Sequence, residues 1–99
     1  MGEATHATVA TFRMDMTRVD EQRQGLHDRV VPSVRQHPGF VSGTWMLDRD
    51  TATSVVVIGF ASREAAESLR ENVIGNAANQ EAAGVHLVEI RLLEVEASA

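Results

Sequence analysis

Arg23 and His27 stand four residues apart in the segment Thr17 to Gln36, where Val19, Leu26, Val30 and Val34 recur at helical spacing. At about 100° per residue both polar side chains fall inside the apolar stripe, with Val31 at its edge. A stripe meant for burial that carries a guanidinium and an imidazole has two explanations. In one, the pair lines a pocket, with His27, whose type titrates near neutrality, as general base and Arg23 as anion clamp. In the other, His27 bonds a backbone carbonyl and Arg23 reaches past the stripe to water. An unpaired buried charge costs several kcal/mol, so Arg23 needs a partner, water or a ligand. Asn72 and Asn76 flank the apolar face of a second helical segment, where they could hold a substrate oxygen or close the helix end. Trp45, the only tryptophan, suits either the core or stacking on a ligand. His86 opens the last strand, at a pocket mouth if its face meets the helices and in solvent otherwise. Glu89 and Arg91, two apart on that strand, suit a cross-subunit ion pair better than catalysis.

Other chemistries are excluded by residue type. The chain has no cysteine, so disulfides, thiolate metal sites and a cysteine nucleophile are absent. Its four histidines (His6, His27, His37 and His86) form no metal-binding pair, and no glycine-rich phosphate loop precedes a helix. The expectation is a protein with no metal, flavin or haem. Fourteen acids face nine bases, all arginine, for a net charge of -5. No basic run offsets that balance, which argues against nucleic acid and against a membrane surface as partners. The stretch Met1 to His6 lacks the basic and apolar regions of a signal peptide. The longest apolar run, Val55 to Ala61, is far short of the ~20 residues that span a bilayer. A cytoplasmic location is expected.

The 99 residues suffice for one domain, and 43% of them are apolar, enough for a modest core. Thr8–Met14 is β-branched and breaker-free, a first strand. The first helix begins at a capping-box-like Thr17…Asp20 and runs to about Gln36, with Pro32 bending it. His37-Pro38-Gly39 stops it. Phe40–Leu47 and Ser54–Phe60 flank the polar turn Asp48–Thr53 and form a hairpin. Ser62 caps a second helix that buries Ala65, Ala66, Leu69 and Val73 and weakens at Gly75. Asn76–Ala83 is a short helical turn ended by Gly84, and Val85–Val95 is the last strand. The order βαββαβ predicts an α+β ferredoxin-like fold: a four-stranded antiparallel sheet with both helices on one face.

The bare face of such a sheet should be polar if water covers it. Here Val55 and Val57 point one way and Val56, Ile58 and Phe60 the other. In the last strand His86, Val88, Ile90 and Leu92 alternate with Val85, Leu87, Leu93 and Val95. Both faces are apolar, which predicts a homodimer joined sheet to sheet.

Three segments carry a family resemblance. They are Val31-Pro32-Ser33-Val34-Arg35-Gln36-His37-Pro38-Gly39-Phe40-Val41-Ser42-Gly43, the junction Ile58-Gly59-Phe60-Ala61-Ser62-Arg63-Glu64-Ala65, and the closing strand Leu87 to Val95. Nearly the whole chain resembles the dimeric α/β-barrel superfamily, and within it the antibiotic-biosynthesis-monooxygenase-like domains. The resemblance implies two subunits joining their sheets into a barrel, each with a pocket between its own sheet and helices. It also implies cofactor-independent oxygenation of a small aromatic, quinol or polyketide-like molecule. The departures matter: tyrosine is absent. Haem-degrading relatives use an Asn on the first strand, a Trp on the second helix and a His just after it. The matching regions here hold threonines, then Leu69 and Val73, then Asn76 and Asn79. The alternative is a non-catalytic dimer that binds a small ligand or serves a structural role. The two differ in whether Arg23, His27 and an Asn converge in the pocket or Leu26, Val30, Val34, Leu69 and Val73 fill it.

Overall fold

A computed structural model describes residues 3–99. Met1 and Gly2, the start of the stretch read as lacking a signal peptide, lie outside the described residues. The elements follow in the order β1 (His6–Met14), a 3-10 turn (Met16–Arg18), α1 (Val19–Gly25), a π-helical turn (Leu26–Val30), α2 (Val31–Arg35), β2 (Phe40–Asp48), β3 (Thr53–Phe60), α3 (Arg63–Gly75), α4 (Ala77–Ala82) and β4 (Val85–Glu94). One four-stranded sheet runs β2-β3-β1-β4, antiparallel throughout. This is the ferredoxin-like βαββαβ arrangement, with the helices over one sheet face. Among the described residues no helix is long and apolar enough to cross a membrane.

The helix-facing side of the sheet holds the core. Ile58 and Phe60 of β3 are nearly sealed and cluster with Ala66 and Leu69 of α3; Val34, Phe40, Trp45, Val73 and Leu92 close around them. Full burial of a side chain such as Phe60 or Leu69 contributes roughly 1.5–3 kcal/mol. Thr8 is the buried polar exception, and its hydroxyl donates to the Ala66 carbonyl at 2.7 Å, so β1 is tied to α3 without an orphaned group. Gly39 stops the first helical run at φ +83°, a conformation open to glycine, and brings the backbone against Ala65 of α3. His37 in that turn rests edge-on against the Phe60 ring, centroids 5.4 Å apart.

Three local features differ from the expectations. The capping Thr17 is instead a partner of Asp15, whose carboxylate accepts the Thr17 amide at 3.0 Å and the Thr17 hydroxyl at 2.6 Å. Those bonds hold the Asp15 carboxyl below its ordinary value of 3.8. The bend expected at Pro32 takes the form of the π turn just before it. Proline lacks an amide hydrogen and its ring crowds the carbonyl four residues back, so the helix widens there; the Val31 amide bonds Leu26, five residues back. The third is a bulge in β4. Thr11 pairs with Glu89 but Phe12 pairs with Leu87, leaving Val88 without an opposite number. One extra residue inverts the alternation. Val85 and Leu87 therefore turn to the helix side with Ile90 and Leu92, where strict alternation had grouped them with Leu93, and His86 turns away with Arg13.

The bare face is correspondingly less uniform than expected. Val9, Val55, Val57 and Leu93 give it an apolar centre across β1, β3 and β4, while β4 adds His86, Glu89 and Arg91. Arg91 and Glu89 lie 3.5 Å apart there as an exposed pair within the chain, where a cross-subunit pair was expected.

Candidate functional site

Between the sheet and the helices lies a cavity of about 820 Å³. That is within the usual span of small-molecule sites. Its floor is the inner sheet face, including Thr8, Ala10, Phe12, Val56 and Ile58. One wall comes from α1, the π turn and α2, and the other from Leu69 and Val73 of α3 with Asn76, Asn79 and Gln80 beyond them.

Four of the six residues singled out in the sequence meet here. Arg23 and His27 line the cavity from the first helical run, Trp45 from β2 and Asn76 from the α3–α4 junction. Arg23 lies in α1 and His27 in the π turn that follows, so the turn forced by Pro32 sets the angle at which the imidazole enters. Neither residue has a side-chain hydrogen bond or ion pair among the described residues, and both are exposed. Trp45 is core and wall at once. Its indole folds back over Gly43, two residues away on the same strand face, where even a methyl group would come within 2.9 Å of the ring. The Asn76 carboxamide oxygen accepts from Asn79 Nδ2 at 2.7 Å, which leaves its own NH2 free of partners among the described residues.

The other two lie elsewhere. Asn72 is exposed on α3, outside the cavity lining; its carbonyl accepts the Asn76 amide at 3.0 Å. A position three residues after Leu69 lies at the edge of the buried stripe, and here that edge faces solvent. His86 is on the opposite sheet face because of the β4 bulge, with Nδ1 3.7 Å from the Glu81 carboxylate.

Gln22 was missed. It is three residues after Val19 and four before Leu26, on the same stripe as Arg23, so its spacing could have flagged it. Its amide nitrogen donates to the carbonyls of Asp15 at 3.0 Å and Ala83 at 3.1 Å, strapping α1 to the start of β4, and its oxygen is buried without a partner among the described residues. Arg29 and Arg49 also line the cavity. No periodicity points to Arg49, which sits in the β2–β3 turn and arrives through the hairpin's fold.

The chain matches no family model and no curated protein. Solved structures do match it. A candidate antibiotic biosynthesis monooxygenase of Deinococcus radiodurans is 13% identical, with a TM-score of 0.74 over 95% of each chain. The heme-degrader MhuD of Mycobacterium tuberculosis, solved with two hemes bound in its active site, is 14% identical with a TM-score of 0.72, over 95% of this chain and 98% of that one. A monooxygenase of Streptomyces coelicolor in complex with nanaomycin D is 19% identical, with a TM-score of 0.68 over 97% of this chain and 91% of its own. The chain thus shares the fold of these antibiotic-biosynthesis-monooxygenase-like structures. The cavity does not fit haem in the manner that resemblance describes. Thr8 and Ala10 line it from β1, Leu69 and Val73 occupy the α3 wall, and Asn76 and Asn79 follow where a histidine ligand would stand.

Proposed function

We propose that the chain works as a cofactor-independent monooxygenase on a small aromatic, quinol or polyketide-like molecule. The observation that carries this reading is the convergence of Arg23, His27 and Asn76 on one largely apolar cavity. The apolar walls would take the ring system. His27 would accept a phenolic or enolic proton, and Arg23 with the Asn76 amide would hold the resulting anion. The electron-rich anion then reacts with O2 directly, and the protein's contribution is positioning and charge stabilisation. Support for this chemistry comes from the fold shared with the nanaomycin-bound monooxygenase and from the site's polar content.

The proposal includes a homodimer joined through the bare sheet face, where Val9, Val55, Val57 and Leu93 form the apolar centre. Light scattering should report about twice 10.8 kDa. Leu93→Asp should yield monomers, because it sets an unpaired charge in a desolvated seam. A wild-type monomer at high concentration overturns the dimer.

The test of the chemistry is oxidation of quinols and anthrones by O2, followed for wild type, His27→Ala and Arg23→Ala. Loss of a general base typically removes about 10²–10⁴ of the rate. Activity that survives both substitutions removes these residues from the mechanism. A folded wild type that is inactive on a broad panel leaves the ligand-binding dimer as the better reading.

A further inference from the structure

The cavity carries a charge opposite to that of the chain. Fourteen acids and nine arginines give the protein its net charge of -5. Yet the cavity is lined by Arg23, Arg29, Arg49 and His27, and among the described residues no aspartate or glutamate lines it. Four of the arginine and histidine side chains elsewhere are spoken for: Arg18 by Glu21, Arg63 by Glu67, Arg91 by Glu89 and His86 by Glu81. The three cavity arginines have no ion pair among the described residues. Two of the acids nearest them in sequence are turned to other partners. Asp28, between His27 and Arg29, accepts from Gln24 Nε2 at 2.9 Å. Asp48, beside Arg49, accepts the backbone amides of Asp50 at 2.9 Å and Thr51 at 3.2 Å.

We infer that the pocket selects an organic anion, an aromatic body bearing a carboxylate. This deepens the proposed function and rests on its reading of the cavity as a ligand site. Arg23 and Arg29 come from the first helical run and Arg49 from the β2–β3 turn, so arginines line the cavity from two separate elements. A planar guanidinium matches a carboxylate in a paired, charge-assisted contact. The ring system would lie along Trp45, Val56 and Ile58, away from the charges. The net charge of -5 repels anions in general, so the selection is local: a carboxylate gains only if its ring can enter and bring it to the arginines.

The test compares a matched pair by titration calorimetry at neutral pH: 1-hydroxy-2-naphthoate and its methyl ester, which keeps the ring and hydroxyl and loses the charge. The acid should bind at least roughly tenfold more tightly, the order expected of a charge-assisted contact. Arg29→Gln and Arg49→Gln should each weaken the acid several-fold and leave the ester unchanged. Added salt should weaken the acid alone; that measurement needs only wild type, so it stands if either variant fails to fold. Equal binding of acid and ester, insensitive to salt, overturns the charge selection and leaves the proposed function in place. Failure of both to bind overturns the ligand site itself and this inference with it.

Discussion

Two helical layers cover the same sheet face and are built differently. α3 starts at a capped Ser62, whose hydroxyl accepts the Ala65 amide at 3.2 Å, and buries Ala66 and Leu69 directly on the strands. The run from Met16 to Arg35 buries no residue at all, is broken by a π turn, and stands off the sheet with the cavity beneath it. One layer stabilises the fold; the other spends its apolar stripe on walls for a space. The difference shows that an amphipathic helix does not by itself imply close packing. Small residues such as Ala66 let α3 approach, whereas Arg23, His27 and Arg29 keep the first run from settling.

The largest expected contrast follows from this. Leu69→Ala should lower unfolding stability by about 2–4 kcal/mol in urea denaturation. Leu26→Ala, the same change on the cavity wall, should cost under about 1 kcal/mol because little packing is lost. Equal costs would mean that the first run is packed as tightly as α3. A sharper probe is Pro32→Ala. It restores an amide donor and removes the ring that widens the preceding turn, so the run can return to a regular α-helix. Stability should stay within about 1 kcal/mol of wild type, while ligand affinity falls several-fold as His27 and Arg29 rotate. Unchanged affinity would show that the π turn does not set the site. The smallest effect is at the start of the run. The Thr17 hydroxyl and amide hold the Asp15 carboxyl below 3.8. A carboxyl depressed in the folded state contributes stability that is present above its unfolded value and lost as pH falls through the folded one. Thr17→Val should therefore flatten the loss of stability in acid, read as melting temperature from neutral pH to below about pH 4. A wild-type acid slope kept in full would remove Asp15 as its source.

Much of the architecture was legible from local chemistry. Gly39 ended the first run as its position after Pro38 implied, and Ser62 capped α3 as expected. The strand order followed from the alternation of β-branched and turn-forming stretches. Within the site, Arg23 and His27 could be singled out because charge on an apolar stripe is anomalous in one dimension. The bulge was invisible, since Val85 to Leu93 alternates well in either register and only pairing with Thr11 and Phe12 decides between them. That is why the sequence left His86 between a pocket mouth and solvent, and the pairing decides for the side away from the helices. The cationic lining was equally hidden, because Arg49 reaches the cavity through the hairpin rather than through any repeat in the sequence.

The unpaired residue in β4 also bears on how such a pocket can diversify. Val88 is 62% exposed, so little packing depends on it. Removing it would leave every pairing as it is, with Leu87 opposite Phe12, His86 opposite Arg13 and Val85 opposite Met14. A slip that paired Val88 itself with Phe12 would instead close the bulge and turn Val85, His86 and Leu87 by half a turn, carrying an imidazole to the helix side and two aliphatic groups away from it. The bulge thus decides the chemistry of one wall without altering any side chain.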